Sequence, residues 1–157
     1  MRKGFTLPEL VIVIAVMLVL IALVTTNLLR PQHRASTTSA MVTLIGDLKQ
    51  QQLKAMLGNT EGGTTAGSFG VFIDNGQYVL FHGSTYAAND TTNFAVVLDT
   101  PLAISTSLLN SQLVFAPGSG EVVGWQTGSD TISLTHSESK ETSTLTINAY
   151  GTVAQIN

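Results

Sequence analysis

Lys3-Gly4-Phe5-Thr6-Leu7-Pro8-Glu9-Leu10 leads into Val11-Ile12-Val13-Ile14-Ala15-Val16-Met17-Leu18-Val19-Leu20-Ile21-Ala22-Leu23-Val24. Residues 10–24 are fifteen apolar side chains without a break, and residues 5–29 carry a single charge, Glu9. As an α-helix this stretch spans roughly 37 Å, enough to cross a hydrocarbon core of about 30 Å with some tilt. The run has no amphipathic period. A helix apolar all round is one surrounded by lipid or by other helices. Arg2 and Lys3 before it point to a cytoplasmic N-terminus, although Arg30 and Arg34 after it weaken the bias. Thr25-Thr26-Asn27 follows in place of an A-x-A-like cleavage site, so an uncleaved anchor fits better than an ordinary secretory peptide.

A plain anchor leaves the block before the run unexplained. A carboxylate at the bilayer centre costs about 2.5–3.5 kcal/mol, and less near an interface, so Glu9 marks a functional site. The block resembles the class III signal of type IV pilins and pseudopilins. That signal is a short basic leader ending in Gly, then Phe, Thr, Leu, any residue and Glu before an apolar run. The resemblance implies cleavage by a prepilin peptidase between Gly4 and Phe5, followed by N-methylation of Phe5. It also implies that Glu9 forms an assembly salt bridge with the new Phe5 ammonium, in its own chain or on a neighbouring subunit. In a low-dielectric surround a paired acid is tolerable where a lone one is costly, so the pair sets the register of insertion. Pro8 stands where the family commonly has Ile or Leu. It lacks an N–H and its ring opposes the carbonyl of Gly4, so it hinders a helix through the uncleaved site and permits one after cleavage.

Further along, Pro31 is expected to interrupt the helix at residues 27–30 and to kink it where it resumes. From Ser39, apolar Met41, Leu44, Ile45, Leu48, Ala55 and Met56 form a stripe with helical spacing, broken at Gln52 and ended by Gly58-Asn59. Residues 59–68, with three Gly and three Thr, are a loop. Short strands are predicted at 69–73, 78–81, 94–98, 113–115, 121–125, 131–136, 143–150 and 152–156. The first two flank Asp74-Asn75-Gly76, a hairpin turn in which Asn-Gly supplies positive φ. Later strands alternate, with Ile132, Leu134, Leu145 and Ile147 inward and Ser and Thr outward. The expected fold is α+β: a long N-terminal transmembrane helix whose C-terminal half packs on an antiparallel β-sheet or β-sandwich head. Its divisions are a leader at 1–4, a transmembrane and filament-core helix at 5–29, an amphipathic continuation at 30–57 and a β-rich head at 58–157. The segments GVFIDNGQYVLFHG (70–83), LVFAPGSGEV (113–122) and LTINAYGTV (145–153) are similar to the GspH/FimT group of minor pilins and pseudopilins.

The 157 residues contain no Cys, which removes thiolate metal sites, disulfides and a Cys nucleophile. His33, His82 and His136 have no ligand-like spacing and read as surface or half-buried structural residues. Ser137-x-x-Lys140 matches a penicillin-binding nucleophile by letter only, because it lies between two strands and lacks K-T-G. Gly118-Ser119-Gly120 precedes a strand and reads as a turn. Asp74-Asn75-Gly76 and Asn89-Asp90 hold oxygens of the kind some pseudopilin heads offer Ca²⁺, but no EF-type loop exists and turn chemistry accounts for them. Asn89-Asp90-Thr91 is a glycosylation sequon by pattern and marks a surface loop. Trp125 and Tyr150 read first as core.

Only 11% of residues are charged against 44% hydrophobic, and mean hydropathy is +0.30. Those averages combine two different chains. Residues 1–57 carry six bases and two acids, residues 58–157 one base and eight acids, so the net −3 is +4 against −7. Some fimbrial T-like proteins bind DNA through a basic C-terminal region. Phosphate binding needs cations, and here residues 151–157 have none, so no direct nucleic-acid contact is expected.

The resemblance therefore implies a non-enzymatic minor pilin or pseudopilin without cofactors, in a type IV pilus or a type II secretion pseudopilus. Its partners would be a prepilin peptidase, other pilin or pseudopilin subunits, an inner-membrane assembly platform and the membrane. It would cross the inner membrane once, head outside the cytoplasm, before entering the filament. The alternatives are a major pilin and a membrane-anchored periplasmic binding domain.

Overall fold

A computed structural model describes residues 4, 6–60, 62 and 64–157, with the side chains of 23–34 outside the description. One helix, α1 (Leu7–Met56), is followed by eight strands: β1 (Phe69–Asp74), β2 (Gln77–His82), β3 (Phe94–Val97), β4 (Leu102–Thr106), β5 (Gln112–Phe115), β6 (Thr131–His136), β7 (Thr142–Ile147) and β8 (Val153–Ile156). They form two four-stranded antiparallel sheets, ordered β3-β2-β1-β5 and β4-β6-β7-β8. The fold is α+β, with the helix on antiparallel sheets as the sequence implies.

Fifty residues give α1 a length of about 75 Å. The expected interruption at 27–30 does not occur, since helix continues through Pro31. The kink expected at Pro31 falls among residues 23–34, whose side chains lie outside the described set. In the second half of α1 the buried positions are Thr37, Met41, Leu44, Leu48, Gln51 and Ala55, repeating every three or four residues. The polar position on this face is Gln51, not Gln52, and Met56 is 48% exposed. Beyond the C-cap Leu57, Gly58 adopts φ 65°, and the amides of Gly58 and Asn59 return to the carbonyls of Ala55 and Lys54.

Helix and sheets share one core. Met41, Leu44 and Leu48 meet Val71, Tyr78, Leu113 and Phe115 of the first sheet and Ile104, Ile132, Leu134, Leu145 and Ile147 of the second. β1 and β2 are buried on both faces, as their unbroken apolar letters require. Gly70 lets β1 and its neighbours close up, because a Cβ there would stand 2.5 Å from the Phe81 ring and 2.6 Å from the Leu113 carbonyl. In the β1–β2 turn only Gly76 takes positive φ (75°), while Asn75 instead donates its amide to Asp74 Oδ1 at 2.7 Å. Gln77 Nε2 and that amide hold the Asp74 carboxyl below its ordinary range, the Gln77 contact being the larger cause.

Two strand assignments change. Residues 121–125 make only a single bridge, Phe115 to Val122, because Gly120 (φ 71°) and Gly124 (φ 67°) turn the chain at both ends. β4 is an additional strand, with Leu102 and Ile104 inward and Ala103 outward. His136 is 2% exposed, continuing the inward alternation of Ile132 and Leu134, and its Nδ1 accepts the Ser139 amide at 3.3 Å. It is a core residue, not a surface one. Tyr150 departs in the other direction and is 68% exposed, whereas Trp125 is half-buried with Nε1 donating to the Ile147 carbonyl.

Candidate functional site

The site begins where the helix begins. Thr6 is its N-cap, in extended conformation (φ −83°, ψ 150°), with Pro8 in the first turn, where a missing N–H leaves no ladder bond unmade. The Thr6 amide donates to Glu9 Oε2 at 3.1 Å and the Thr6 hydroxyl donates to the same oxygen at 2.9 Å. The Leu10 amide returns to the Thr6 carbonyl at 3.2 Å. Thr6-x-x-Glu9 is thus a capping box. The T-x-x-E spacing that carries this box is present in the sequence, and it gives Glu9 a local partner besides the ammonium implied for it.

Gly4 lies outside the helix, exposed, with open space where a Cβ would stand. Helix start and open segment are therefore separated by the Thr6 cap. The sequence-derived partner in cleavage, methylation and the salt bridge is Phe5, which lies outside the described residues. Of the expected site residues, the structure thus places Gly4 just before the cap and Glu9 within it. A carboxylate that already gathers two donors at the helix N-terminus can accept a further cation there, favoured by the partial positive charge of the helix end.

Beyond the cap the helix is a bare apolar surface. Every large apolar side chain described from Leu7 to Ile21 is between 50% and 79% exposed, twelve in all. An apolar face of this size marks a partner or a lipid phase. Among the described residues no helix is long and apolar enough to cross a membrane. The described side chains of this apolar stretch end at Ala22, sixteen residues into the helix.

The other candidate chemistry is dispersed. Ser137 and Lys140 occupy the β6–β7 turn, with Lys140 at φ 58°. His82 packs on the Phe69 ring at 4.9 Å between centroids, and His33 lies among the side chains outside the description. Among the described residues no three His, Asp or Glu side chains are grouped to hold a metal ion. Asp90 binds the amide and hydroxyl of Thr92, which lower its carboxyl as turn chemistry does.

Residues 1–25 match the family described as the prokaryotic N-terminal methylation motif. No curated protein and no solved structure matches the chain. The motif indicates a type IV pilin-like chain processed as a prepilin. It implies a prepilin peptidase and other pilin subunits as partners.

Proposed function

We propose that the chain is a minor pilin or pseudopilin, a non-enzymatic structural subunit of a type IV pilus or a type II secretion pseudopilus. The observation that carries this reading is the exposed apolar length of α1 with a capped Glu9 at its start. A rod of that kind needs lipid before assembly and neighbouring helices after it. In sequence the apolar run continues through Leu23 and Val24 to Leu29, and this supports a single crossing of the inner membrane with the β-rich head outside the cytoplasm. Cleavage after Gly4 removes Arg2 and Lys3 and leaves the Phe5 ammonium near the Glu9 carboxylate, either in one chain or between neighbours. The GspH/FimT-like head segments support the minor-subunit assignment, and the −7 head disfavours a direct nucleic-acid contact.

Co-expression with a prepilin peptidase tests the reading. The expected product lacks residues 1–4, starts at Phe5 and is one methyl group heavier by mass spectrometry, while Gly4→Leu stays uncut. No cleavage would leave the membrane-anchored binding domain. In sheared filaments a minor subunit is sparse, and a dominant band would make it the major pilin. Glu9→Ala is expected to be cleaved yet to fail to enter filaments.

A further inference from the structure

The tip of the β1–β2 hairpin sets an unengaged side-chain amide beside an unengaged backbone amide. Asn75 is exposed, and while its backbone amide donates to Asp74 Oδ1 at 2.7 Å, its carboxamide has no partner among the described residues. The Gly76 amide likewise has no acceptor among the described residues, whereas the Gly76 carbonyl accepts the Leu98 amide at 2.9 Å. Gly76 has no Cβ, and one built there would meet nothing within 4 Å, so its nitrogen is open to the neighbouring side chain. Main-chain amides are ordinarily tied to an acceptor. One left free directly after an asparagine is a nucleophile next to a thermolabile side chain.

The fold treats the comparable asparagines differently. Asn110 also precedes a small residue, but the Ser111 amide donates to the Leu108 carbonyl at 3.1 Å. After Asn89, the Asp90 amide donates to the Ala87 carbonyl at 3.1 Å. Asn148 holds its side-chain oxygen on the Tyr150 and Thr152 amides at 3.0 and 3.1 Å, and Asn93 its side-chain nitrogen on the Ala87 carbonyl at 2.7 Å. Of the two asparagines followed by Gly or Ser, only Asn75 has a free amide after it.

We propose that Asn75 is a self-modification site, at which the folded chain converts its own carboxamide to a carboxylate through the Gly76 nitrogen. That nitrogen gives its proton to a solvent base and attacks Asn75 Cγ. The N–Cγ bond forms, the Cγ–Nδ2 bond breaks, and Nδ2 leaves as ammonia after taking up the proton. Water then opens the succinimide ring on either side. Cleaving the new N–Cγ bond leaves an aspartate. Cleaving instead the bond from the Gly76 nitrogen to the Asn75 main-chain carbon leaves an isoaspartyl link, with the chain routed through Cβ and Cγ. Water in and ammonia out balance the change. Both products take the head from −7 to −8 and set a second carboxylate beside Asp74. The isoaspartyl product also adds a methylene to the main chain between the cross-strand partners Asp74 and Gln77, which works against the Leu98–Gly76 bond that anchors the chain just beyond β3. None of this rests on the prepilin reading.

The full-length chain, purified in detergent and incubated at neutral pH in heavy-oxygen water, tests the proposal by peptide mapping over time. Asn75 is expected to be lost first, its peptide heavier by the exchange of amino for hydroxyl and carrying one oxygen from the labelled water. Part of that product should be labelled by a protein isoaspartyl methyltransferase. Asn110 should stay intact in the folded chain and react in urea, where the Ser111 amide is released. Asn75→Gln keeps a carboxamide at the turn but not the ring-closing length, so it should lose the modification and unfold as the parent does. Gly76→Ala, strained at φ 75°, should lose most of it as well. Amide exchange at Leu98 should be faster in the isolated isoaspartyl form than in Asn75→Asp, and equal rates would overturn the effect on the chain beyond β3. Asn75 persisting in the folded chain while it reacts in urea overturns the proposal. So does aspartate without isoaspartate, which would mean direct hydrolysis, or Asn110 lost as fast as Asn75 in the folded chain, which would mean that the fold makes no selection. Cleavage after Gly4 is read on a different peptide, so the prepilin reading stands or falls separately.

Discussion

Tyr78 is 1% exposed, and its hydroxyl donates to Asp47 Oδ2 at 2.5 Å, tying β2 to α1. Burial first, and the Asp47 carboxylate second, push its phenol well above the ordinary 10.0. A hydrogen bond to a charged group contributes about 1.5–3 kcal/mol, and Asp47, being half-exposed, recovers part of that from water. Tyr78→Phe is therefore expected to destabilise the full chain by about 1–2 kcal/mol, measured by urea unfolding in detergent. The sign of the pH effect follows from the raised phenol. Below pH 10.0 folded and unfolded states both keep the proton. Above it the unfolded state loses the proton first, so stability falls as pH rises. In Tyr78→Phe this alkaline slope should be shallower, and an unchanged slope would assign it to other groups. Neither residue was legible as a partner: they are 31 positions apart and meet only once the sheet has docked on the helix.

The second half of α1 is the element on which the head is built, and its two faces make opposite predictions. Leu44 is 0% exposed in the core and Val42 is 63% exposed two residues away. Leu44→Ala should cost about 2–5 kcal/mol through lost burial and the cavity left behind, whereas Val42→Ala should fall within about 0.5 kcal/mol in the same urea series. Gln52, which interrupts the apolar stripe in the sequence, is a clamp. Its Nε2 donates to the Gly120 carbonyl at 2.9 Å and the Tyr150 carbonyl at 2.7 Å, fastening two loops to the helix. Gly151 makes room for it with φ 74°, where a Cβ would stand 2.6 Å from that nitrogen. Gln52→Leu keeps the volume but removes both bonds, so a loss of about 1–3 kcal/mol is expected, with faster amide exchange near residues 120 and 150. Periodicity made the helix and most strands readable, and Thr131–His136 was placed to the residue. It could not show that Gln51 is inward and Gln52 sideways, since one residue is 100° of helix and the stripe is broad. β4 escaped because Ala103 and a neighbouring proline blur its alternation, and 121–125 misled because its letters alternate while its flanking glycines turn the chain.

At the scale of the whole molecule, a folded head with its own core packs on the C-terminal half of a helix whose described N-terminal side chains, Leu7 to Ala22, are all exposed. The methylation-motif segment was legible apart from its Thr6 cap because it is local: proline, acid and apolar run lie within residues 1–25, where no long-range contact intervenes. The head offered only patterns, since its identity depends on how sheets pack. This division makes the same substitution mean different things at the two ends. Met17 and Val42 are almost equally exposed, at 62% and 63%, and both are apolar positions of α1. If lipid covers the first and water the second, Met17→Arg places a charge near the middle of the span and costs about 2.5–3.5 kcal/mol of insertion, on the order of a hundredfold in the insertion equilibrium. Val42→Arg places it in water beside the head and costs nothing there. Membranes from cells producing each variant, washed with alkaline carbonate, should retain the parent chain and Val42→Arg in the pellet and release much of Met17→Arg. Equal retention of all three would mean that something other than lipid covers the helix before assembly. Release of the parent chain itself would remove the membrane crossing and leave the exposed face to protein neighbours alone.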